Sequence, residues 1–495
     1  MNGKTIVVGG GPGGLSAAIH LAASGRQVLL LEKNRTLGGK MSQVQASGYR
    51  WDTGPTVITL KHVFADLFAA AGRNVEDYLT LVPIDPLTRY FYPDGTALDV
   101  RVSLAETLRN IKELEPRDVE GYLGFLAYAA QMYRITAPIA ILNNPPRLWD
   151  ILRLPLQDVL RVDAARTMYG AIRSHVHSPH LRQLLSRFAT YLGADPYHAR
   201  AYLNVIAHVE LTAGLWYPRG GTYAITTAYR QLAKELGVDI RTGVRVKRIL
   251  TENRRVSGVE VSGGPPLPAD AVVADVDPTT VYHDLLPEMQ ASRRLKQWMR
   301  RPFSCSGFVM FLGVQGKHPQ LAHHNIFFSS DYRSEFKAMF SRGVPSREPT
   351  IYVAITSKTD PDHAPPDGEN WYVMANTPPM STDWDWTTEA ASYRDRILER
   401  LADLGLDVRK QIRAEQILHP LEIQQRTGAW RGSLYGHSFN DWLASFRRPH
   451  NRCPDLEGLY FCGGATHPGG GVPLATMSGQ VAAHMLLSDR PGGTA

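Results

Sequence analysis

The chain opens on a short apolar run, Ile6 to Val8, passes through glycines, and then places apolar residues at Leu15, Ala18, Ile19 and Ala22. That i, i+3, i+4, i+7 spacing predicts one face of a helix, and the β-branched run before it predicts a buried strand. Gly25 closes the helix, and "QVLLLE", Gln27 to Glu32, supplies a second buried parallel strand. The same alternation returns twice. "AYRQLAKELG" predicts a helix ended by Gly237, followed by β-rich segments with a turn at Glu252 to Arg255, and then "ADAVVADVDP" as a buried strand. Near the end, Leu459 to Cys462 predicts a strand, followed by a glycine-rich loop and a helix beginning near Leu474. Ala475, Ser478, Gly479, Ala482 and Ala483 are small enough for that helix to press closely on a neighbour. Strands alternating with helices predict the α/β class.

A chain of 495 residues is too long for one compact core, so two domains interleaved in sequence are expected. Residues 1–75, 215–276 and 441–490 carry the strand and helix signals above and form one domain in three parts. Residues 76–214 and 277–440 lack them, hold most of the aromatic side chains, and form the other in two. Within the first insert, "PPRLWDILRLPLQDVLRV" sets Leu148, Trp149, Ile151, Leu152, Leu156, Val159 and Leu160 among Arg147, Arg153 and Arg161. Two readings of it stand: an amphipathic helix lying in a membrane interface, or a buried helix pair broken at Pro155.

Composition is that of an ordinary globular chain, 43% hydrophobic and 20% charged with a net charge of +7. Without a basic run interleaved with aromatics, nucleic acid is not an expected partner. Three widely spaced cysteines, Cys305, Cys453 and Cys462, suggest neither a disulfide framework nor a metal site, and fit a reducing, cytoplasmic compartment. The N-terminus runs straight into strand-like sequence, so no signal peptide is expected. No apolar stretch reaches the roughly 18 residues of a spanning helix.

The glycines between the first strand and helix carry the chemistry. Gly9, Gly11 and Gly14 occupy the three places of GxGxxG: the first for the tight turn, the second for approach of a pyrophosphate, the third for close helix packing. Glu32, at the end of the second strand, stands where an acid accepts hydrogen bonds from ribose hydroxyls. A dinucleotide site is the reading these positions support; the plainer alternative is a glycine-rich turn with Glu32 in solvent. "GGATHPGGGVP", Gly463 to Pro473, repeats the strand, glycine loop and helix logic near the other end of the sequence. A helix N-terminus there would favour negative charge.

The pattern Glu32, five residues, then Gly38, Gly39 and Lys40, followed by "GYRWDTGPTVI", resembles the two-dinucleotide-binding-domain flavoproteins. With "LWYPRGGTYAI", "PQLAHHNIFF" and "RPHNRCPDLEGLYFCGGATHPGGGVP", the whole chain resembles the bacterial carotenoid desaturase and oxidase family, phytoene desaturase-like flavoproteins. "RYFYPDGTALDV" and "EPTIYVAITSKTD" favour the branch typified by diaponeurosporene oxidase. The resemblance implies a Rossmann-like FAD-binding domain with an interleaved α+β substrate domain, and FAD gripped at both ends by the two glycine runs. It implies hydride abstraction from an acyclic carotenoid, to desaturate it or to oxidise its terminal methyl group, with a quinone or oxygen as electron acceptor. A water-insoluble substrate implies peripheral association with the inner face of the cell membrane.

Carried over by motif, Gly9, Gly11, Gly14, Glu32, Gly38, Gly39, Lys40 and Val246 would hold the adenosine and diphosphate. Gly54, Pro55, Thr56, Gly463, Gly464, Val472 and Pro473 would meet the ring and ribityl chain. Gly464 stands where amine oxidases carry an acid, which argues against amine oxidation. Arg219 and Gly220 are expected on another wall with Gly221, His323 in the substrate channel or the scaffold, and His467 as a structural loop element or a substrate contact. His323 and His324 are adjacent and expected to point apart, so no metal site is expected. His208 and Glu210 read as solvated or hydrogen-bonded, and no catalytic dyad is evident. Desaturases of phytoene, dehydrosqualene or hydroxycarotenoids are the near alternative. A flavin amine oxidase and a non-enzymatic prenyl-lipid escort protein are the distant ones.

Overall fold

The computed structural model describes residues 3–140, 145–146, 150 and 155–489. Its organising element is a five-stranded parallel sheet in the order Leu459–Phe461, Ala271–Ala274, Lys4–Val8, Gln27–Glu32, Asp239–Thr242. All four residues of Ala271–Ala274 and the last five of Gln27–Glu32 are buried. Both faces are covered, which is why these strands read as continuous apolar runs rather than as alternation. Strand order reverses between Lys4–Val8 and Ala271–Ala274. In a doubly wound sheet, such a reversal opens a crevice at the carboxyl ends of the strands.

Helix Pro12–Ala23 follows the first strand without a side-chain cap, its first turn opened by Pro12. Helix Val472–Asp489 packs along it. Small residues make this approach possible: Ser16 Oγ donates to the Thr476 carbonyl at 2.7 Å, and Ala482 and Ala483 are fully buried. Ile19, Leu21 and Leu486 are also fully buried beneath the pair, each worth about 1.5–3 kcal/mol of apolar transfer. Together these contacts bring two segments more than 440 residues apart in sequence to one end of the sheet. A three-stranded antiparallel sheet, Val246–Glu252, Arg255–Val261 and Leu267–Pro268, flanks it. Its first hairpin turns on Asn253 and Arg254, at φ 50° and 62°, the twist-compatible geometry of a two-residue loop.

The second large unit is a seven-stranded mixed sheet ordered Ile412–Leu418, Ser306–Gln315, Gly368–Thr377, Ile351–Ile355, His324–Phe327, Thr88–Phe91, Ala97–Val100. Period-two alternation assigns its faces. Phe308, Met310 and Leu312 with Trp371 and Val373 pack beneath helix Trp386–Asp403. Val309, Tyr372, Met374, Tyr352 and Ile326 face the other way, into a large cavity. Among the described residues no helix is long and apolar enough to cross a membrane. Of the amphipathic segment, Leu148, Trp149, Ile151 and Leu152 lie outside the described residues. Its end forms the short helix Leu156–Arg161. The three cysteines are buried and free.

Candidate active site

The first strand ends at Val8, and Gly9 turns the chain at φ 102°, its N–H donating to the Leu31 carbonyl at 2.8 Å. The Gly10 N–H donates to Glu32 Oε2 at 2.8 Å, and Asn34 donates to Oε1 from its backbone N–H at 2.8 Å and its side chain at 2.7 Å. Glu32 is therefore buried and oriented by the glycine loop and by Asn34, not solvated. The Gly38 N–H donates to the Gly10 carbonyl at 2.8 Å, which ties the second glycine pair to the first. A Cβ on Gly14 would lie 2.1 Å from the Gly9 carbonyl oxygen. Only glycine lets the helix start so near the strand.

Between these loops lies one continuous cavity of about 830 Å³, toward the upper end of the usual range for ligand sites. At one end it is lined by Glu32 and Val246. It passes Gly9, Gly11, Gly39 and Lys40, then Gly54, Pro55 and Thr56 opposite Gly464, Val472 and Pro473. It continues between Val309, Tyr372 and Met374 to Tyr191, Tyr332 and Glu210. Gly14, Gly38 and Gly463 do not line it; they set the close packing behind it.

Four expected substrate positions, Arg219, Gly220, His323 and His467, are not on its wall. Arg219 is exposed and pairs with Asp360, which also accepts the Gly220 N–H at 2.7 Å. The "PRGGTY" stretch serves Asp52 instead. That buried carboxylate accepts the N–H groups of Thr222 and Tyr223 at 2.8 and 3.1 Å and pairs with Arg50, which anchors helix Tyr223–Glu235 to "WDTGP". His323 is buried against Tyr217, with Nδ1 2.7 Å from the Thr359 hydroxyl. The His323 and His324 rings meet at 4.4 Å rather than pointing apart, because the strand begins only at His324 and its alternation does not reach His323. Among the described residues no His, Cys, Asp or Glu group could hold a metal. His467 is buried behind the loop, where its carbonyl accepts from Asn451 Nδ2 and Ser478 Oγ.

Three features of the site go beyond the sequence motifs. Asp275 follows strand Ala271–Ala274 and lines the cavity at the switch point. Burial pushes its carboxyl up to about 6, against the N–H bonds from Gly14 and Gly11, the former at 2.9 Å. Two cations flank the same region, the expected Lys40, which is half-buried, and Arg448, which is buried and to which the motifs assigned no role. Burial lowers Lys40 to about 8, and its ammonium donates to the Leu434 and Ser433 carbonyls at 2.5 and 3.2 Å. Burial lowers Arg448 to about 10; it donates to the carbonyls of Tyr435 at 2.7 Å, Thr466 at 3.0 Å, and Gly464. The third is a buried ion pair between Arg187 and Glu210 on the cavity wall.

A model of the flavin containing amine oxidoreductase family matches residues 12–487. The chain belongs to this family. It is 36% identical over 493 residues, 99% of both chains, to a 4,4'-diapolycopene oxygenase of Methylomonas sp. It is likewise 36% identical over 491 residues, 98% of both, to a 4,4'-diaponeurosporene oxygenase of Staphylococcus aureus strain MW2. The branch suggested by the sequence motifs is thus the one these relatives represent. Among solved structures, an oxidoreductase from Methanosarcina mazei superposes with a TM-score of 0.66 at 16% identity, over 97% of this chain and all of that one. At such identity the likeness shows the fold, a Rossmann-like α/β flavoprotein fold.

This amine-oxidoreductase-family chain is an FAD-dependent oxidoreductase. The residues present fit that cofactor. The cavity is elongated between two helix N-termini with no acid in their first turns. At Gly39 an added Cβ would meet the Gly11 Cα at 3.4 Å, so side chains there would narrow the passage.

Proposed function

We propose that this chain is an FAD-dependent carotenoid oxidase that acts on the terminal methyl group of an acyclic polyene. The observation that carries this reading is 36% identity along essentially the whole chain to proteins named 4,4'-diapolycopene and 4,4'-diaponeurosporene oxygenase. The cavity is compatible: beyond Thr56 it is walled by Val309, Tyr352, Tyr372, Met374 and Ile326, a surface suited to a flat apolar chain. FAD, when bound, supplies the hydride acceptor.

The chain's own residues would bind, orient and exclude water. Glu32 would take the ribose, Val246 the adenine side, and Gly9, Gly11 and Gly39 the diphosphate. Gly464, Val472 and Pro473 would meet the ring from one side, and Gly54, Pro55 and Thr56 from the other. Delocalisation along a polyene stabilises the cation left by hydride loss, so little acid or base help is required. That accounts for the lack of an obvious dyad. The substrate would be drawn from the inner face of the cell membrane by peripheral association, with oxygen or a quinone taking the electrons.

A desaturase is the second reading; it shares the cavity and differs in product. Expression in cells that accumulate an acyclic carotenoid, followed by mass analysis of the products, separates them. Gain of one oxygen with loss of two hydrogens marks a methyl turned aldehyde. Products that lose hydrogens alone would overturn the oxidase reading.

A further inference from the structure

The cavity carries one feature that a hydrocarbon does not call for. Arg187 and Glu210, with side chains 5% and 1% exposed, form an ion pair on its wall. Arg187 Nε donates to the Tyr90 hydroxyl at 2.8 Å, Nη1 to the Tyr191 hydroxyl at 3.0 Å, and Nη2 to Glu210 Oε1. The Tyr191 hydroxyl donates in turn to Glu210 Oε2 at 2.5 Å. Two further tyrosines, Tyr332 and Tyr352, line the same cavity, and the Tyr352 hydroxyl lies 2.6 Å from that of Thr56. Burying such a pair is expensive, and well-packed apolar side chains in its place are often neutral or stabilising. A wall built only to hold a polyene would use those.

Resting on the carotenoid reading above, we propose that Arg187, Tyr191 and Glu210 form a subsite for a neutral, oxygen-bearing end group of the polyene, a primary alcohol or an aldehyde. The cluster offers both roles. A guanidinium has five N–H donors and a carboxylate about four acceptor sites. Among the described residues three of those donors are engaged on protein and Glu210 accepts two bonds. An alcohol accepts from Arg187 and donates to Glu210; an aldehyde only accepts. A carboxylate is disfavoured, because Glu210 already neutralises Arg187 and a second anion would meet its charge. A hydrocarbon end still enters, since the pair satisfies itself when nothing polar arrives. The subsite therefore ranks partly oxidised polyenes above the parent hydrocarbon.

The test uses the FAD-loaded protein in detergent micelles, with an acyclic polyene hydrocarbon, its terminal alcohol and its terminal acid as probes, and tryptophan quenching as readout. Flavin absorbance reports that each variant is folded. Wild type should bind the alcohol about 10- to 100-fold more tightly than the hydrocarbon, the worth of hydrogen bonds to charged groups, and the acid no better than the hydrocarbon. Tyr191→Phe should narrow the alcohol preference, and the charge-free double variant Arg187→Met with Glu210→Leu should abolish it while changing hydrocarbon affinity far less. Equal binding of alcohol and hydrocarbon by wild type, tight binding of the acid, a preference that survives in the double variant or, should that variant not fold, an undiminished preference in Tyr191→Phe, would overturn the subsite alone. Binding of none of the three polyenes would overturn the carotenoid reading beneath it.

Discussion

Replacing Gly479 by alanine should destabilise the protein and loosen its hold on FAD. A Cβ there would stand 2.1 Å from the Gly13 carbonyl oxygen and 2.8 Å from the Ala17 nitrogen and the Ser16 Cβ. Two of these three atoms are backbone, so relief requires helices Pro12–Ala23 and Val472–Asp489 to move apart. Overpacking of this kind costs about 1–3 kcal/mol, whereas alanine gains about 1 kcal/mol over glycine in a helix interior. With the nearest atom a backbone oxygen the clash stands at the upper end of its range and wins, with a net loss of up to about 2 kcal/mol. Gly124, inside helix Asp118–Ala140, is the control: its Cβ would have a nearest neighbour at 3.6 Å, the His175 Cδ2. Alanine there should leave stability equal or higher. Urea midpoints with and without FAD measure both effects, because a ligand that binds only the folded state raises the midpoint according to its affinity. Gly479→Ala should lower both midpoints and shrink the gap between them. A Gly479→Ala protein as stable as Gly124→Ala, with the full FAD-dependent gap, would refute the close helix contact as the clamp on the site.

Three further outcomes are expected. Gly14→Ala forces a Cβ to 2.1 Å from the Gly9 carbonyl oxygen, so the purified variant should carry little flavin absorbance while Gly124→Ala retains it. The Asp275 carboxyl, held up to about 6 by burial, is ionised at neutral pH and becomes neutral as pH falls through that value. FAD affinity followed by flavin fluorescence should therefore rise as the pH drops from neutral through about 6. In Asp275→Asn the profile should be flat at the tighter level, and an unchanged profile would exclude Asp275 from the diphosphate region. Asp52→Ala leaves Arg50 without its partner and the N–H groups of Thr222 and Tyr223 without an acceptor. Breaking a buried pair in this way costs about 3–5 kcal/mol, which thermal unfolding should register.

Much of the parallel sheet was legible because its strands are short, doubly buried and separated by glycines that the turn geometry requires. The predicted hairpin turn at Glu252 to Arg255 is present, and the C-terminal helix begins at Val472, two residues earlier than its first apolar periodic residue suggests. Small residues near Gly479 signalled a close neighbour, though not which one. The Arg187–Glu210 pair was illegible as a pair, since its members lie on separate helical segments, Arg187–Leu192 and Val205–Ala213. The one hint was an acid inside the apolar run "VIAHVEL". Asp275 looked like an ordinary polar residue after a strand, because nothing local reveals that Gly14 from the first turn reaches it. Arg219 and Gly220 were misplaced for the converse reason: their motif is spent on Asp52, a contact made across 170 residues.

The parallel sheet takes its edge strand from Leu459–Phe461, and the helix that closes its crevice is Val472–Asp489. During synthesis, therefore, the strand Ala271–Ala274 waits without its outer partner while almost two hundred more residues emerge from the ribosome. An unpaired apolar edge of that kind invites association with other chains. The nascent protein can thus complete the pocket for its prosthetic group only once Val472–Asp489 has been made, and until Leu459–Phe461 emerges the sheet keeps an open edge.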